Sequence, residues 1–408
     1  MTLSRASSAA LLFVIVACSS PASSGFAGGP DGDGSTRTGA PDGGLGGGGG
    51  GSGGPDFGGG DAGTASGCSF SDATDHDKDG YSAQDGDCND CDPNVNPGAY
   101  DVAGNGRDED CSGKSDDEAA TCDTSAALDS ADAMDGARAM GLCRTADPNG
   151  AGRTKTWGVL GARYVTPDGQ PLPNPIGHGI LKVFGANKPQ EGSAMLALSS
   201  GTARGPSDPG YQDVGGYDKG YTSGTPAGYP KDSPACPGVH TGAAHDGAAL
   251  ELTIRVPTNA KSLSFQENFF TYEFPDYICS KYNDFYVATL SPQVPTLPDG
   301  NIAFDQQGNP ISVNNSLLQV CSPRVANGKN FPCPLGPSSL QGTGFDESAA
   351  TGWLQTTAPV KPADTITLRL VIWDSGDGAL DSTVLVDKFA WSADGASGVT
   401  TTPAPPPR

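Results

Sequence analysis

The sequence predicts a mainly β protein: an antiparallel β-sandwich, jelly-roll-like, with one N-terminal helix, preceded by a small loop-rich acidic and disulfide module and a disordered tether. Three observations carry that expectation. From residue 157 onward, short runs of alternating apolar and polar residues recur between Gly- and Pro-rich turns; such alternation gives a strand one buried and one wet face. No alternation of strand and helix patterns intervenes, so packed antiparallel sheets are the economical way to bury the apolar faces. Ahead of the strands, residues 68–124 hold 14 Asp and 2 Glu against 3 Lys or Arg. That segment has almost no hydrophobic periodicity, so cations and cross-links must supply what a core supplies elsewhere.

The chain begins with the pattern of an export signal over residues 1–18. Arg5 gives a positive start, and residues 9–17 form an apolar run too short to span a bilayer. It closes on Ile15-Val16-Ala17-Cys18, which resembles the bacterial lipobox, in which the cysteine is acylated. Cleavage by the ordinary signal peptidase is the alternative. Ser19 and Ser20 follow the cysteine, with no aspartate at the second mature position; the resemblance to sorted lipoproteins then implies the outer membrane, and an exported, surface-exposed lipoprotein is expected. Residues 19–66 read as the tether. Glycine dominates 39–63, with Leu45 and Phe57 the only large apolar residues there, and such a chain cannot offset its own ordering entropy. About 48 such residues reach roughly 35–40 Å.

The acidic module is expected over residues 67–121 and the β-rich domain over 122–395, with 396–408 a disordered Thr-Pro tail. Within 125–142, Leu128, Ala131, Met134, Ala137 and Met140 recur every three residues, a helical pattern that ends near Gly141. Strands are expected at 157–165, 180–184, 194–198, 249–256, 263–274, 284–290, 302–304, 311–313, 365–373 and 383–391. The stretches 250–256 and 366–372 alternate most strictly. Residues 201–246 interrupt the series and read as a long surface loop clipped by Cys236. Setting Cys18 aside leaves ten cysteines of the eleven: Cys68, Cys88, Cys91, Cys111, Cys122, Cys143, Cys236, Cys279, Cys321 and Cys333. An even count in an exported chain suggests up to five disulfides. Cys122 and Cys143 bracket the helix and are candidates to pair, but ten cysteines admit roughly 945 connectivities among which spacing does not choose.

The run Asp75-His76-Asp77-Lys78-Asp79-Gly80-Tyr81 aims three carboxylates at one point, with a glycine to turn the backbone around it. Hard divalent cations take six to eight such oxygens, so several Ca2+ ions are expected. Asp75, Asp77 and Asp79 match the first, third and fifth positions of an EF-hand, and Tyr81 would offer its carbonyl at the seventh. The twelfth position is Gly86 rather than glutamate, with Asp85 and Asp87 beside it. The loop therefore reads as a loop-only calcium site, with Asp87 placed to serve two ions. Asp90, Asp92, Asn94, Asn96, Asn105, Asp108, Asp110 and Asp116 complete the candidate ligands. Copper is disfavoured, because softer ions prefer sulfur and imidazole and the chain holds four His and four Met.

Three pieces of this region resemble the bacterial MopE-type metal-binding motif: 75–81, Asp87-Cys-Asn-Asp-Cys-Asp92-Pro-Asn-Val-Asn-Pro-Gly-Ala99, and Asn105-Gly-Arg-Asp-Glu-Asp-Cys-Ser-Gly113. Tyr100 stands where the motif usually has an acid after the Pro-Gly-Ala turn, and Cys91 replaces a usual aspartate. The stretch 265–285, with Asn301-Ile-Ala303, Ser312-Val-Asn-Asn315 and Ile372-Trp-Asp-Ser-Gly-Asp-Gly-Ala-Leu-Asp-Ser382, resembles the choice-of-anchor L domain. That resemblance implies a surface-displayed β-rich domain whose members use different anchors, with the N-terminal lipid on Cys18 as the expected tie to the membrane here.

A formal charge of −23 argues against nucleic acid as partner. The expected role is adhesion or recognition of a polysaccharide or another cell-surface ligand. Glu273, Asp284, Asp374, Asp377 and Asp381 form a possible second cation site; Glu273, Asp276, Asp284, Asp374, Asp377 and Asp381 could alternatively serve a glycosidase-like hydrolase. A purely structural envelope protein is the third reading. No nucleophile elbow, zinc-protease or phosphate-loop motif occurs, and no catalytic residue is assigned.

Overall fold

The computed structural model describes residues 68, 70–118, 122 and 126–405. The expected signal sequence with Cys18 and the tether lie outside the described residues. Fourteen strands form among the described residues. They are β1 Gly158–Val165, β2 His178–Leu181, β3 Met195–Ser199, β4 Ala244–Arg255, β5 Ser262–Thr271, β6 Phe285–Ser291 and β7 Ile311–Ser312, then β8 Arg324–Ala326, β9 Lys329–Phe331, β10 Ala349–Ala350, β11 Leu354–Pro359, β12 Thr365–Ser375, β13 Ser382–Ser392 and β14 Thr400–Pro403. One sheet runs β1-β4-β12-β6-β7 and a seven-stranded sheet runs β14-β11-β5-β13-β3-β2, with β10 beside β5; β8 and β9 make a separate hairpin. All strand pairs are antiparallel.

The period-two pattern assigns each strand's faces. Leu250, Leu252 and Ile254 of β4 and Leu368, Leu370 and Ile372 of β12 turn inward, meeting Phe265, Phe269, Val384 and Val386 of the facing sheet in the main core. On the other face of β4, Glu251 accepts from Arg163 Nε at 3.2 Å and Arg369 Nε at 2.8 Å. The register sets Arg163 and Arg369 on either side of Glu251, and despite burial the two guanidiniums hold its carboxyl below the usual range.

Both sheets are also covered on their outer faces. Val371, Trp373, Phe285 and Val287 lie under Tyr229, whose ring meets Trp373 edge-on at 5.7 Å. Residues 201–246, which the sequence reads as a surface loop, thus cap a sheet through Tyr229, while Ala203 and Val214 are buried in a further cluster with Phe270 and Leu385. Capping explains why β5 reads Phe269-Phe270: Phe269 enters the main core and Phe270 the outer one.

The helix α1 spans only Ala133–Ala139, against the expected 125–142. Asp132 caps it by accepting from Met134 N, and Gly141 at φ +98° ends it against the backbone of Phe389. Leu128 instead accepts Ile180 N–H through its carbonyl and packs on an outer core. The tail corrects a second expectation: Thr400–Pro403 is no disordered stub but pairs with β11, its Thr401 hydroxyl 2.7 Å from that of Thr356. The expected strand at 302–304 is replaced by single bridges. Among the described residues, five disulfides join Cys68–Cys91, Cys88–Cys111, Cys122–Cys143, Cys236–Cys279 and Cys321–Cys333.

Candidate metal centre

The acidic loop builds itself from local turns. Asp75 accepts from Lys78 N and Gly80 N, Asp77 Oδ1 from Asp79 N, and Asp79 Oδ1 from Tyr81 N at 2.8 Å. Gly80 at φ +100° supplies the left-handed residue that this curl needs. A second strand of chain closes over the first, where Asp87 Oδ1 accepts from Asn89 N at 2.8 Å and Asp90 Oδ1 reaches back to His76 N at 2.7 Å. The disulfides Cys68–Cys91 and Cys88–Cys111 hold the two together. Each closes a loop of separation 23, which restricts the unfolded chain by about 3 kcal/mol.

Two groups of three carboxylates result, Asp75–Asp77–Asp90 and Asp77–Asp79–Asp87, the candidate oxygens of each lying within 4.8 Å of one another. Asp77 belongs to both, so the carboxylate shared between adjoining groups is Asp77 rather than the expected Asp87. Asp77, Asp87 and Asp90 share one feature: each spends Oδ1 on a backbone N–H and leaves a buried Oδ2 with no hydrogen-bond partner. A buried, unpartnered carboxylate oxygen is costly, and a divalent cation is the partner that satisfies several at once. Burial and the neighbouring acids push Asp79 up to about 7 and Asp87 up to about 6, and raise Asp77 as well. The donors are oxygens, as hard cations require.

A third group gathers Asp101, Asp110 and Asp117. Asp101 is buried and accepts from Glu109 N, Asp110 N and Asp117 N. Sequence reasoning omitted Asp101 and Asp117 from the ligand set. A signal was available: the acid that the motif expects directly after Pro97-Gly98-Ala99 stands one residue later, at Asp101, beyond Tyr100.

Several expected ligands do other work. Asp85 accepts from Ser82 N and Ser82 Oγ and caps a short turn. Asp92 pairs with Arg107 at 2.7 Å, which overcomes burial and holds its carboxyl down, and it takes the Asn94 amide. Asn105 binds Arg107 N and Glu109. Asp108 accepts from Ser112 N and Gly113 N, and Asp116 accepts from the N–H groups of Gly104, Asn105 and Gly106. None of the four acids, Asp85, Asp92, Asp108 and Asp116, joins a three-acid group among the described residues.

Asn96 links the centre to the sandwich. Fully buried, it donates from Nδ2 to Asp79 Oδ2 at 2.7 Å and accepts at Oδ1 from Gly98 N at 2.9 Å and Thr258 Oγ1 at 2.8 Å. Thr258 lies in the β4–β5 turn, where Asn259 both accepts Tyr100 N and donates to Tyr100 O. Tyr81 is buried here too, donating its hydroxyl to the Lys155 carbonyl, directly over Gly98, where a Cβ would strike that hydroxyl. Arg144 reaches Asp110 at 3.0 Å. The acidic module and the sandwich thus fall in one compact unit, Ala65–Arg408.

The acids proposed for a second cation site are partly brought together. Glu273, Asp284, Asp374 and Asp381 are all buried, whereas Asp377 is exposed. Asp284 N donates to Glu273 at 3.1 Å, and Asp284 accepts from Ser375 N at 3.1 Å and Ser382 Oγ at 2.8 Å. Burial first, and then mutual repulsion, push all four carboxyls well above their usual range. No three of them bring their oxygens within 4.8 Å of one another among the described residues.

Residues 198–391 match the family model of the choice-of-anchor L domain, and residues 87–117 match the family described as "Putative metal-binding motif", of the MopE type. Both are families that the sequence resembles. Together they mark a surface-associated protein, and the motif with its acidic groups points to metal binding. No curated protein matches the chain. Among the described residues no helix is long and apolar enough to cross a membrane.

Proposed function

We propose that this chain is a calcium-loaded lipoprotein, anchored through Cys18 to the outer membrane, whose β-sandwich recognises a surface ligand and catalyses no reaction. The observation that carries the calcium reading is the trio of buried Oδ2 atoms on Asp77, Asp87 and Asp90, each without a partner, in two carboxylate groups joined at Asp77. Two ions, held by Asp75, Asp77 and Asp90 and by Asp77, Asp79 and Asp87, would offset that charge, and Asp101, Asp110 and Asp117 would hold a third. The all-oxygen donor set favours calcium over copper or zinc. Calcium then serves structure: it fixes the module against the β4–β5 turn and thereby stiffens the base of the recognition domain.

The non-catalytic reading is supported by the burial of Glu273, Asp284, Asp374 and Asp381, between 0% and 2% exposed, which withdraws four of the six acids of the hydrolase reading from a substrate, Asp276 and Asp377 remaining exposed. Titration calorimetry of the mature chain with calcium, magnesium, zinc and copper tests the metal assignment. Two or three equivalents of calcium are expected; tight copper uptake with negligible calcium binding would overturn it. Metabolic labelling with a fatty acid, lost in Cys18→Ala, tests the anchor.

A further inference from the structure

A cavity of about 510 Å³ opens far along the sequence from the acidic module, between residues 234–235, the loop 307–319 and the β8–β9 hairpin. Its walls are fixed before any ligand arrives. Cys236–Cys279 and Cys321–Cys333 staple two of them. Asn309 ties a third, accepting from Ser233 Oγ at 2.6 Å and Ala235 N at 2.8 Å while donating to Asp305. Asn314 accepts from Cys279 N at 2.7 Å. Such a volume lies within the roughly 300–1,000 Å³ typical of small-ligand sites.

The lining is unusual for this chain. Of 47 acidic residues in the sequence, none lines the cavity, and its single charge is Lys329. The Lys329 ammonium donates to Cys236 Sγ at 3.3 Å, and a disulfide sulfur is a weak acceptor. Burial lowers its pKa, and no carboxylate opposes that effect. Around it, Gln307, Gln319 and Asn330 present amides, over an apolar floor that includes Leu318 and Phe331.

We propose that this cavity binds a carboxylated sugar, a uronic-acid unit of an acidic polysaccharide. Lys329 pairs with the sugar carboxylate, the amides take ring hydroxyls, and the apolar floor packs against the ring face. The ligand would bring the anion, because no carboxylate lines the cavity to meet Lys329. The chain's charge of −23 opposes polyanions in general, but much of it lies in residues 68–124, and the cavity lining holds one cation and no carboxylate, with Asp305 behind it tied up by Asn309 and Ser316. This inference rests on the recognition role proposed above and assigns its site.

The test uses the full mature chain with calcium, a glycan array, and calorimetry against a uronate oligosaccharide and its carboxyl-reduced neutral counterpart. Wild type is expected to bind the charged form roughly tenfold or more tightly than the neutral one, and Lys329→Gln to lose that preference, since truncating one partner of a desolvated charge pair is strongly penalised. Lys329→Arg should restore the preference, and Asn330→Ala, on the exposed hairpin, should weaken both forms without altering thermal unfolding. Lys329→Gln that keeps both affinity and preference overturns the cavity assignment while leaving the recognition role standing. A blank array for wild type overturns both. Capture of acidic peptides in place of glycans overturns the sugar assignment.

Discussion

Substituting Asp77 by Asn tests the shared-ligand reading most directly, because Asp77 alone belongs to both adjoining carboxylate groups. One change removes a charged ligand from two ions while keeping size and hydrogen-bonding capacity. An ion present at a hundred times its dissociation constant stabilises a fold by about 2.7 kcal/mol, so two contribute about 5 kcal/mol. The unfolding entropy of a unit running from Ala65 to Arg408 is about 0.7 kcal/mol/K at ~2.1 cal/mol/K per residue, so a loss of both ions lowers Tm by roughly 7 °C. Differential scanning calorimetry with calcium and with chelator measures this. Asp85→Asn is the control: its carboxylate accepts from Ser82 in a short turn, the amide keeps an acceptor there, and the change should cost at most about 1 kcal/mol whether or not calcium is present. In chelator the sign for Asp77→Asn reverses. Burial and then the charges of Asp75, Asp90 and Asp92 disfavour ionised Asp77, so the neutral amide should equal or exceed wild type in stability. A full calcium-dependent Tm shift retained in Asp77→Asn, or the same loss in Asp85→Asn, would refute the reasoning.

Three further outcomes are expected. Asn96→Ala leaves Asp79, Gly98 N and Thr258 without a buried partner and should cost about 2–4 kcal/mol, with faster amide exchange confined to residues 96–100 and 257–260 and an unchanged calcium stoichiometry; an effect spread over the whole sandwich would count against the link. Gly98→Ala sets a methyl against the Tyr81 hydroxyl and should unseat the module, seen as new protease cleavage within residues 75–117, while Gly104→Ala, which at φ +80° strains its own turn but meets no neighbouring atom, should lower stability slightly without exposing the module in this way. For pH, burial pushes the Glu267 carboxyl up to about 8, even against the Thr356 bond that favours its charge. Its neutral form is the one the fold prefers, so its contribution is complete below the ordinary glutamate pKa of about 4.3 and is lost as pH rises through about 8. Urea unfolding between pH 5 and 9 should show wild type weakening and Glu267→Gln flattening that slope; an identical slope in both would exclude Glu267 as the cause.

How much of this was legible beforehand differs by element. The strands at 249–256 and 365–373 were readable because one wet face interrupts the apolar one at every second position; the structure starts the first earlier, at Ala244, ends it at Arg255, and carries the second on to Ser375. The short β11 and β14 were not, since a Thr-rich run such as Thr400–Pro403 acquires strand character only by pairing with Leu354–Pro359. The helix was overextended because spacing of three continues through Leu128, whereas the Asp132 cap fixes where helical hydrogen bonding begins. The insertion 201–246 looked exposed because its apolar residues are sparse; Tyr229, Ala203 and Val214 suffice to anchor it once sheets lie beneath.

The acidic loop was the most legible feature and also the most revised. By itself the sequence determined that cations or protons must neutralise residues 68–124, because that follows from charge density, and that the loop is not an EF-hand, because Gly86 has no carboxylate. Which acids act together was settled only by the tertiary structure. Asp90 meets the first loop through His76, 14 residues away, and Asn96 meets Thr258 across 162 residues. Oxygen positions set by contacts at such separations leave little trace in local spacing, the acid displaced to Asp101 apart, so Asp101 and Asp117 join a carboxylate group and Asp85, Asp92, Asp108 and Asp116 do not. The same contacts place the module against the sandwich, in one unit with it.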